Sequence, residues 1–222
     1  AMICGVVGRY QRKLQYVRSV LALDRGVGKP SAMTAIVNDK GIFFLLDTHV
    51  QLDPTAEDLA EATLQATFRM KLFGIQPKVA LLELLRERMP TLEVEGEMHA
   101  DAALAEDVRL RIFPNSRLTG SANLFVLPNL DAANITYNML RVMTDGVAIG
   151  PILMGVSKPA HVLTPSATVR RVALRHHPVA ARKITSVTTA ASTDGGNSSI
   201  PLTLPPAPTS MRPLDSIFVI AA

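Results

Sequence analysis

Apolar positions change their period several times along the chain, and each change predicts an element. Leu14, Val17 and Leu21 recur at helical spacing, and Gly26 and Gly28 are expected to end that helix. Two short apolar runs follow, AMTAIVN (32–38) and IFFLL (42–46), on either side of the turn-forming cluster Asp39-Lys40-Gly41. They predict a strand pair, with Asp47 closing the second run at a strand end, where function commonly sits. Asp53 before Pro54 reads as the cap and first turn of a helix whose apolar face uses Leu59, Thr63 and Phe68 and which ends at Gly74.

KVALL (78–82) and LEVEGEM (92–98) both have strand character, but only about nine residues separate them, and a parallel crossover normally needs a dozen or more. The connection is therefore expected to be shortened. Asp101 can cap a helix carrying Leu104, Val108 and Ile112, which Pro114 and Asn115 terminate. NLFVLP (123–128) is continuously apolar, the type of strand buried on both faces of a parallel sheet. The loop Asn129-Leu130-Asp131-Ala132-Ala133-Asn134 leads from it into a helix, at the carboxyl end of a strand where open α/β sheets bind ligands. Alternating strands and helices predict the α/β class.

Composition narrows the function classes. The chain has 222 residues, 48% of them hydrophobic, and no apolar run long enough to cross a bilayer, so a membrane protein is not expected. A net charge of +4 invites a nucleic-acid reading, yet the basic residues are scattered and aromatic residues make up only 5%, which leaves few stacking platforms. Nucleic acid is not an expected partner. The start AMICGVVGRYQRK lacks the basic, apolar and small-residue zones of a secretory signal and opens inside a strand-like pattern, so it reads as the start of a fragment. The single cysteine, Cys4, cannot form an internal disulfide, which suits a reducing cytoplasm and makes the Asn134 and Asn197 glycosylation matches chance ones. Cys4 itself is expected to be buried and inert.

Beyond Ala173, Arg175-His176-His177-Pro178 passes into STDGGNSS and PLTLPPAPTS, and residues 173–222 read as a disordered tail. Glu97, His99 and Asp101 would share one face of an extended strand, but no further ligands follow them, and metal binding is not expected. Gly26-Val27-Gly28-Lys29-Pro30-Ser31 lacks the spacing, and the hydroxyl directly after lysine, of a phosphate-binding loop.

Several segments in fixed order carry a resemblance: VEGEMHADAA (94–103), ANLFVLPNLDAAN (122–134), AIGPILMGVSKP (148–159) and TPSATVRR (164–171). Together they resemble the phosphate acetyltransferase/butyryltransferase family, and more closely its version fused to the C-terminus of bacterial NADP-dependent malic enzymes. DTHVQLDPTAEDLAE (47–61) and FPNSRLTGSANL (113–124) support the malic-enzyme branch. The resemblance implies a three-layer α/β/α fold of two domains with a ligand cleft between them, in an isocitrate/isopropylmalate dehydrogenase-like architecture. Residues 1–47 would be the C-terminal part of an incomplete first domain, 48–150 a second domain and 151–172 a return segment to the first. An incomplete first domain is expected to leave apolar surface exposed.

Family members that move an acetyl group between coenzyme A and phosphate need cations for phosphate and a carboxylate to take the thiol proton. By the resemblance, a Ser-Arg pair falls on Thr164-Pro165 and an aspartate on Arg171, so both roles are lost; a family arginine falls on Val142 and a frequent cysteine on Thr48. Arg141 lies about 100° around the helix from Val142 and is a poor substitute. The Ser/Gly-rich phosphate loop expected after KVALL is also missing. No catalytic residue is therefore assigned.

The candidates for binding coenzyme A or another effector are Asn129, Asp131, Asn134, Gly150, Pro151, Gly155, Lys158, Thr164 and Ser166. Plainer readings stand beside them: helix capping for Asn129, Asp131 and Asn134, close backbone packing for the glycines, and a solvated surface for Lys158. The expected function is a noncatalytic regulatory and oligomerisation domain sensing acetyl-CoA, joined to a malic-enzyme catalytic domain in a cytoplasmic homo-oligomer. NADP and a divalent metal would belong only to that catalytic part, with no cofactor in this domain. An active phosphate acyltransferase and a purely structural oligomerisation module are the alternatives.

Overall fold

The computed structural model describes residues 2–5, 7–80, 92–163 and 218–220. Among the described residues, nine strands and five helices follow in chain order: β1 (Met2–Cys4), α1 (Tyr10–Val20), β2 (Ser31–Asn38), β3 (Gly41–Leu46), α2 (Ala56–Leu72), β4 (Lys78–Ala80) and β5 (Glu93–Glu95). Then come α3 (Ala100–Leu104), α4 (Glu106–Ile112), β6 (Leu124–Val126), α5 (Leu130–Met143), β7 (Val147–Met154), β8 (Ala160–Val162) and β9 (Phe218–Ile220).

Six strands form one sheet in the order β5-β4-β6-β3-β2-β7. β4 is parallel to β5 and β6, and β6 to β3, whereas β2 runs antiparallel to both β3 and β7. Every strand of this sheet except β2 thus ends on the same edge. Alternation along β3 explains the layering. Phe44 and Leu46 face the core made with Ala60, Ala66 and Met70 of α2, while Leu45 faces the opposite core with Ala103 of α3 and Tyr137 and Leu140 of α5. Helices on both faces make the expected three-layer α/β/α arrangement.

Three further strands, β8-β1-β9, form a small parallel sheet on which Leu14 and Val17 of α1 pack. Leu153 and Val156 join this core to the end of β7. The boundary expected after Asp47 does not coincide with a sheet boundary, because β2 and β3 pair into the six-stranded sheet. That sheet therefore takes in Ser31–Met154. Within the expected tail, Phe218–Ile220 pairs with β1; the rest of 173–222 lies outside the described residues.

Local chemistry sets the ends of the helices. Thr55, not Asp53, caps α2: its hydroxyl accepts from the Asp58 amide while the Asp58 carboxylate accepts from the Thr55 amide, a reciprocal capping box. Phe68 is 62% exposed and lies off the buried stripe, which uses Leu59, Ala62, Thr63, Ala66 and Met70 instead. Gly74, at φ +76°, ends the helix as predicted. α1 stops at Val20, before the two glycines. β5 is shorter than its apolar run, and the connection from β4, expected to be shortened, falls on residues 81–91, which lie outside the described residues. No helix among the described residues is long and apolar enough to cross a membrane.

Candidate functional site

The carboxyl edge of the six-stranded sheet brings together the ends of β3, β6 and β7, and polar groups gather there. Asp47 follows β3 and is buried. One carboxylate oxygen accepts from the His49 and Val50 amides at 2.8 and 3.0 Å, and the other accepts from the Ala32 amide of β2 at 3.0 Å. Burial pushes the Asp47 carboxyl up to about 6, even though these backbone hydrogen bonds pull the other way. A carboxylate so placed holds a loop to a strand.

Thr48 is buried beside it, its hydroxyl 2.9 Å from that of Thr34 and 2.7 Å from His49 Nδ1. The His49 ring stacks at a tilt on Tyr10, with centroids 5.0 Å apart, and the Gln11 amide donates to the carbonyls of His49 and Val50 at 2.9 Å. The 47–50 loop thereby clamps α1, and with it the three-stranded sheet, to the larger one. Asp47 was legible as a strand end; the Thr34–Thr48–His49 chain was not, because the sequence does not show that β2 brings Thr34 to Thr48.

On the neighbouring strand, Asn129 caps α5 by accepting from the Ala132 amide at 2.9 Å, and the Leu130 amide donates to the Leu52 carbonyl at 3.1 Å. Two of the donors that make a helix N-terminus an anion site are therefore engaged internally. Asp131, exposed in the first turn, adds a negative charge that disfavours phosphate. Asn134 sits one turn on, its carbonyl accepting from the Asn138 side chain.

The two candidate glycines serve close packing. A Cβ on Gly150 would lie 2.8–3.0 Å from Thr34, and one on Gly155, at φ +78°, would lie 2.9 Å from both Gln65 and Val27. Pro151 is buried within β7, and Lys158 is exposed beyond its end. Thr164 and Ser166, with Pro165 and Arg171, lie outside the described residues. The Gly26–Ser31 segment is likewise engaged: the Gly28 amide donates to Glu61 at 2.7 Å, and Lys29 pairs with Asp58 at 2.8 Å.

Two expectations are corrected. β5 ends at Glu95, so Glu97, His99 and Asp101 do not share a strand face. Asp101 lies inside the first turn of α3, which follows His99 and is separated from α4 by Ala105, so the one expected helix is two. Arg109, fully buried on α4, was not singled out in the sequence. Its guanidinium donates to the carbonyls of Ala102, Leu118 and Gly120 at 3.1, 3.0 and 2.6 Å, tying the loop before β6 to α3. Nothing in RLRIF distinguishes this buried arginine from its exposed neighbour Arg111.

Comparison with known proteins places this geometry. The model of the phosphate acetyl/butaryl transferase family matches residues 1–175. The NADP-dependent malic enzyme of Escherichia coli (strain K12) is 47% identical over 193 aligned residues, covering 78% of this chain and 25% of that protein. A phosphate acetyltransferase of Haemophilus influenzae is 36% identical over 157 residues, covering 58% of this chain and 22% of that one. Among solved structures, a phosphotransacetylase from Streptococcus pyogenes superposes with a TM-score of 0.74 at 25% identity, over 83% of this chain and 63% of its own. The chain spans about a quarter of the length of the curated malic enzymes it matches.

Proposed function

This chain belongs to the phosphate acetyl/butaryl transferase family, and from that premise we propose that it is the noncatalytic regulatory and assembly domain of a malic enzyme, sensing acetyl-CoA. One observation carries the reading: among the described residues, the polar groups at the carboxyl edge of the six-stranded sheet, where open α/β folds bind ligands, are committed to holding the protein together. Asp47 takes three backbone amides, Thr48 bridges Thr34 and His49, and Asn129 caps its own helix. A base for the coenzyme A thiol has to approach substrate, and Asp47 is turned into the fold instead.

The resemblance adds that Thr164-Pro165 and Arg171 stand where active members carry the phosphate-binding pair and the acid, so the chemistry lacks both its cation and its base. The malic-enzyme relatives match this chain at 42–47% identity and the phosphate acetyltransferases at 25–36%. On this reading the partner is a malic-enzyme catalytic domain in the same polypeptide, the setting is cytoplasmic, and NADP and a divalent metal act only in that other domain. This chain's part is to bind the effector, with exposed Lys158 as the cation that meets it, and to relay its presence across the clamp of Asp47, Gln11 and His49.

Titration calorimetry of the folded chain with acetyl-CoA, with free coenzyme A and acetate as controls, tests the proposal. Saturable heat and a rise in melting temperature that grows with ligand concentration are expected. Absence of both would leave assembly alone as the function. A phosphate acyltransferase reading is favoured by the 0.74 TM-score against a phosphotransacetylase and by the 36% identity to a phosphate acetyltransferase, and it requires formation of acetyl phosphate from acetyl-CoA and phosphate.

A further inference from the structure

β1 is the middle strand of the small sheet, with β8 on one side and β9 on the other, both parallel to it. The two neighbours hold it by different residues. The Met2 amide donates to the Pro159 carbonyl at 2.8 Å, and the Cys4 carbonyl accepts from the Leu163 amide at 3.2 Å, so the backbone groups of Met2 and Cys4 point towards β8. Successive residues of a strand turn their peptide groups to opposite edges, which leaves the N–H and C=O of Ile3 for the other side. Val219 stands opposite Ile3 there. In a parallel ladder a residue bonds the positions before and after its opposite number, so this register sets Ile3 to donate to the Phe218 carbonyl and to accept from the Ile220 amide.

β1 has supports of its own. Met2 and Cys4 are buried in a core with Leu14 and Val17 of α1 and with Ala160 and Val162 of β8. β9, by contrast, comes from far along the chain, with residues 163–217 between it and β8, and pairs over three residues. Its sequence run Ile217-Phe218-Val219-Ile220 is β-branched and aromatic, a composition that takes the extended form wherever a partner backbone is offered.

We propose that the outer edge of β1 is a binding site for a short apolar segment in extended form, and that β9 occupies it as an exchangeable ligand tethered to the fold. Recognition is by strand addition: Ile3 offers one donor and one acceptor, and a parallel segment answers them with a carbonyl and an amide two positions apart. A tether of this length keeps β9 at an effective concentration of roughly a millimolar or less, which a free peptide can match. When β9 leaves, β1 keeps β8 and its core, so release costs the small sheet one ladder and not its fold. The inference goes beyond the effector and assembly reading and does not depend on it.

Amide hydrogen exchange, read residue by residue by NMR on the full 222-residue chain and on Ile220→Pro, tests this. Proline lacks the N–H that the Ile3 carbonyl is set to accept. In Ile220→Pro the Ile3 amide should exchange roughly fivefold faster or more, the worth of one net hydrogen bond, while the Met2 and Cys4 amides, which face β8, keep the parent's rates. The peptide LDSIFVIAA, copying residues 214–222 and added at several millimolar, should restore slow exchange at Ile3 of the variant. The same peptide with proline at the place of Ile220 should not. Unchanged exchange at Ile3 in Ile220→Pro would show that β9 does not hold this edge. Faster exchange at Met2 and Cys4 together with Ile3 would make β9 a fixed part of the small sheet, and no recovery with the peptide would remove the edge as a binding site. Any of these three results overturns the proposal.

Discussion

The crevice and the outer face of α5 meet on one helix and are built on opposite principles. At the N-terminus of α5 the polar groups are engaged: Asn129 caps, the Leu130 amide reaches Leu52, and neighbouring Asp47 satisfies three amides. One to three turns on, Ile135, Met139 and Val142 touch solvent. The difference separates what maintains shape from what remains available to others. A crevice whose hydrogen bonds close on themselves offers rigidity, whereas an apolar stripe left open offers association. Substitutions in the first region should therefore change stability, and those in the second should change assembly while leaving stability alone.

The largest stability effect belongs to Arg109. Replacing it by Leu strips two buried carbonyls and one half-buried carbonyl of their donor, and unfolding by urea should show a loss of about 3–5 kcal/mol. A loss below about 1 kcal/mol would mean that water serves those carbonyls equally well.

Asp47→Asn comes next. The amide can satisfy His49 and Val50 with its oxygen, but its NH₂ then meets the Ala32 N–H, a buried donor left without an acceptor, for about 1–3 kcal/mol. Its pH dependence carries a sign. The folded carboxyl titrates at about 6 against 3.8 in model compounds, so the folded state binds the proton more tightly. The stabilisation from that proton is complete below 3.8 and is lost as pH rises through about 6. The gap between parent and Asp47→Asn should widen by on the order of 2 kcal/mol from pH 7 to pH 4. A constant or narrowing gap would contradict the burial of this group.

Asn129→Ala should cost about 1 kcal/mol through the lost cap, read from the same unfolding curves. If acetyl-CoA binding fell with no change in stability, Asn129 would belong to the ligand rather than to the helix. The smallest stability change is expected for Met139→Glu, within about 0.5 kcal/mol, as for an exposed helix position.

Much of the fold could be read from pattern. The β2–β3 hairpin, the continuously apolar β6 and the Asn129 cap announce themselves through neighbours in sequence, by turn residues, apolar runs and helix-start chemistry. What the sequence hid depends on partners far along the chain. Asp53 and Thr55 are both good caps, and the choice falls to Thr55 because Asp58 stands where it can return the hydrogen bond. Arg109 is buried because carbonyls at Ala102, Leu118 and Gly120 converge on it, which only the folded loop reveals. Asp47 was visible as a strand end, but its role came from Ala32 on a strand running the other way. The shortened β4–β5 connection was expected because parallel strands impose a minimum length, and it falls on residues outside those described; the 193 aligned positions with the malic enzyme exceed what 78% of this chain supplies, so that relative carries residues absent here.

The most direct test of the account is acyl transfer by the purified chain. Incubated with acetyl-CoA and inorganic phosphate, it should form no acetyl phosphate and release no free coenzyme A thiol above a no-protein control, at any pH from 5 to 9 over which burial of Asp47 is expected to matter. Sustained turnover that co-purifies with the chain and disappears in Asp47→Asn would show that the crevice performs chemistry, and would contradict the account.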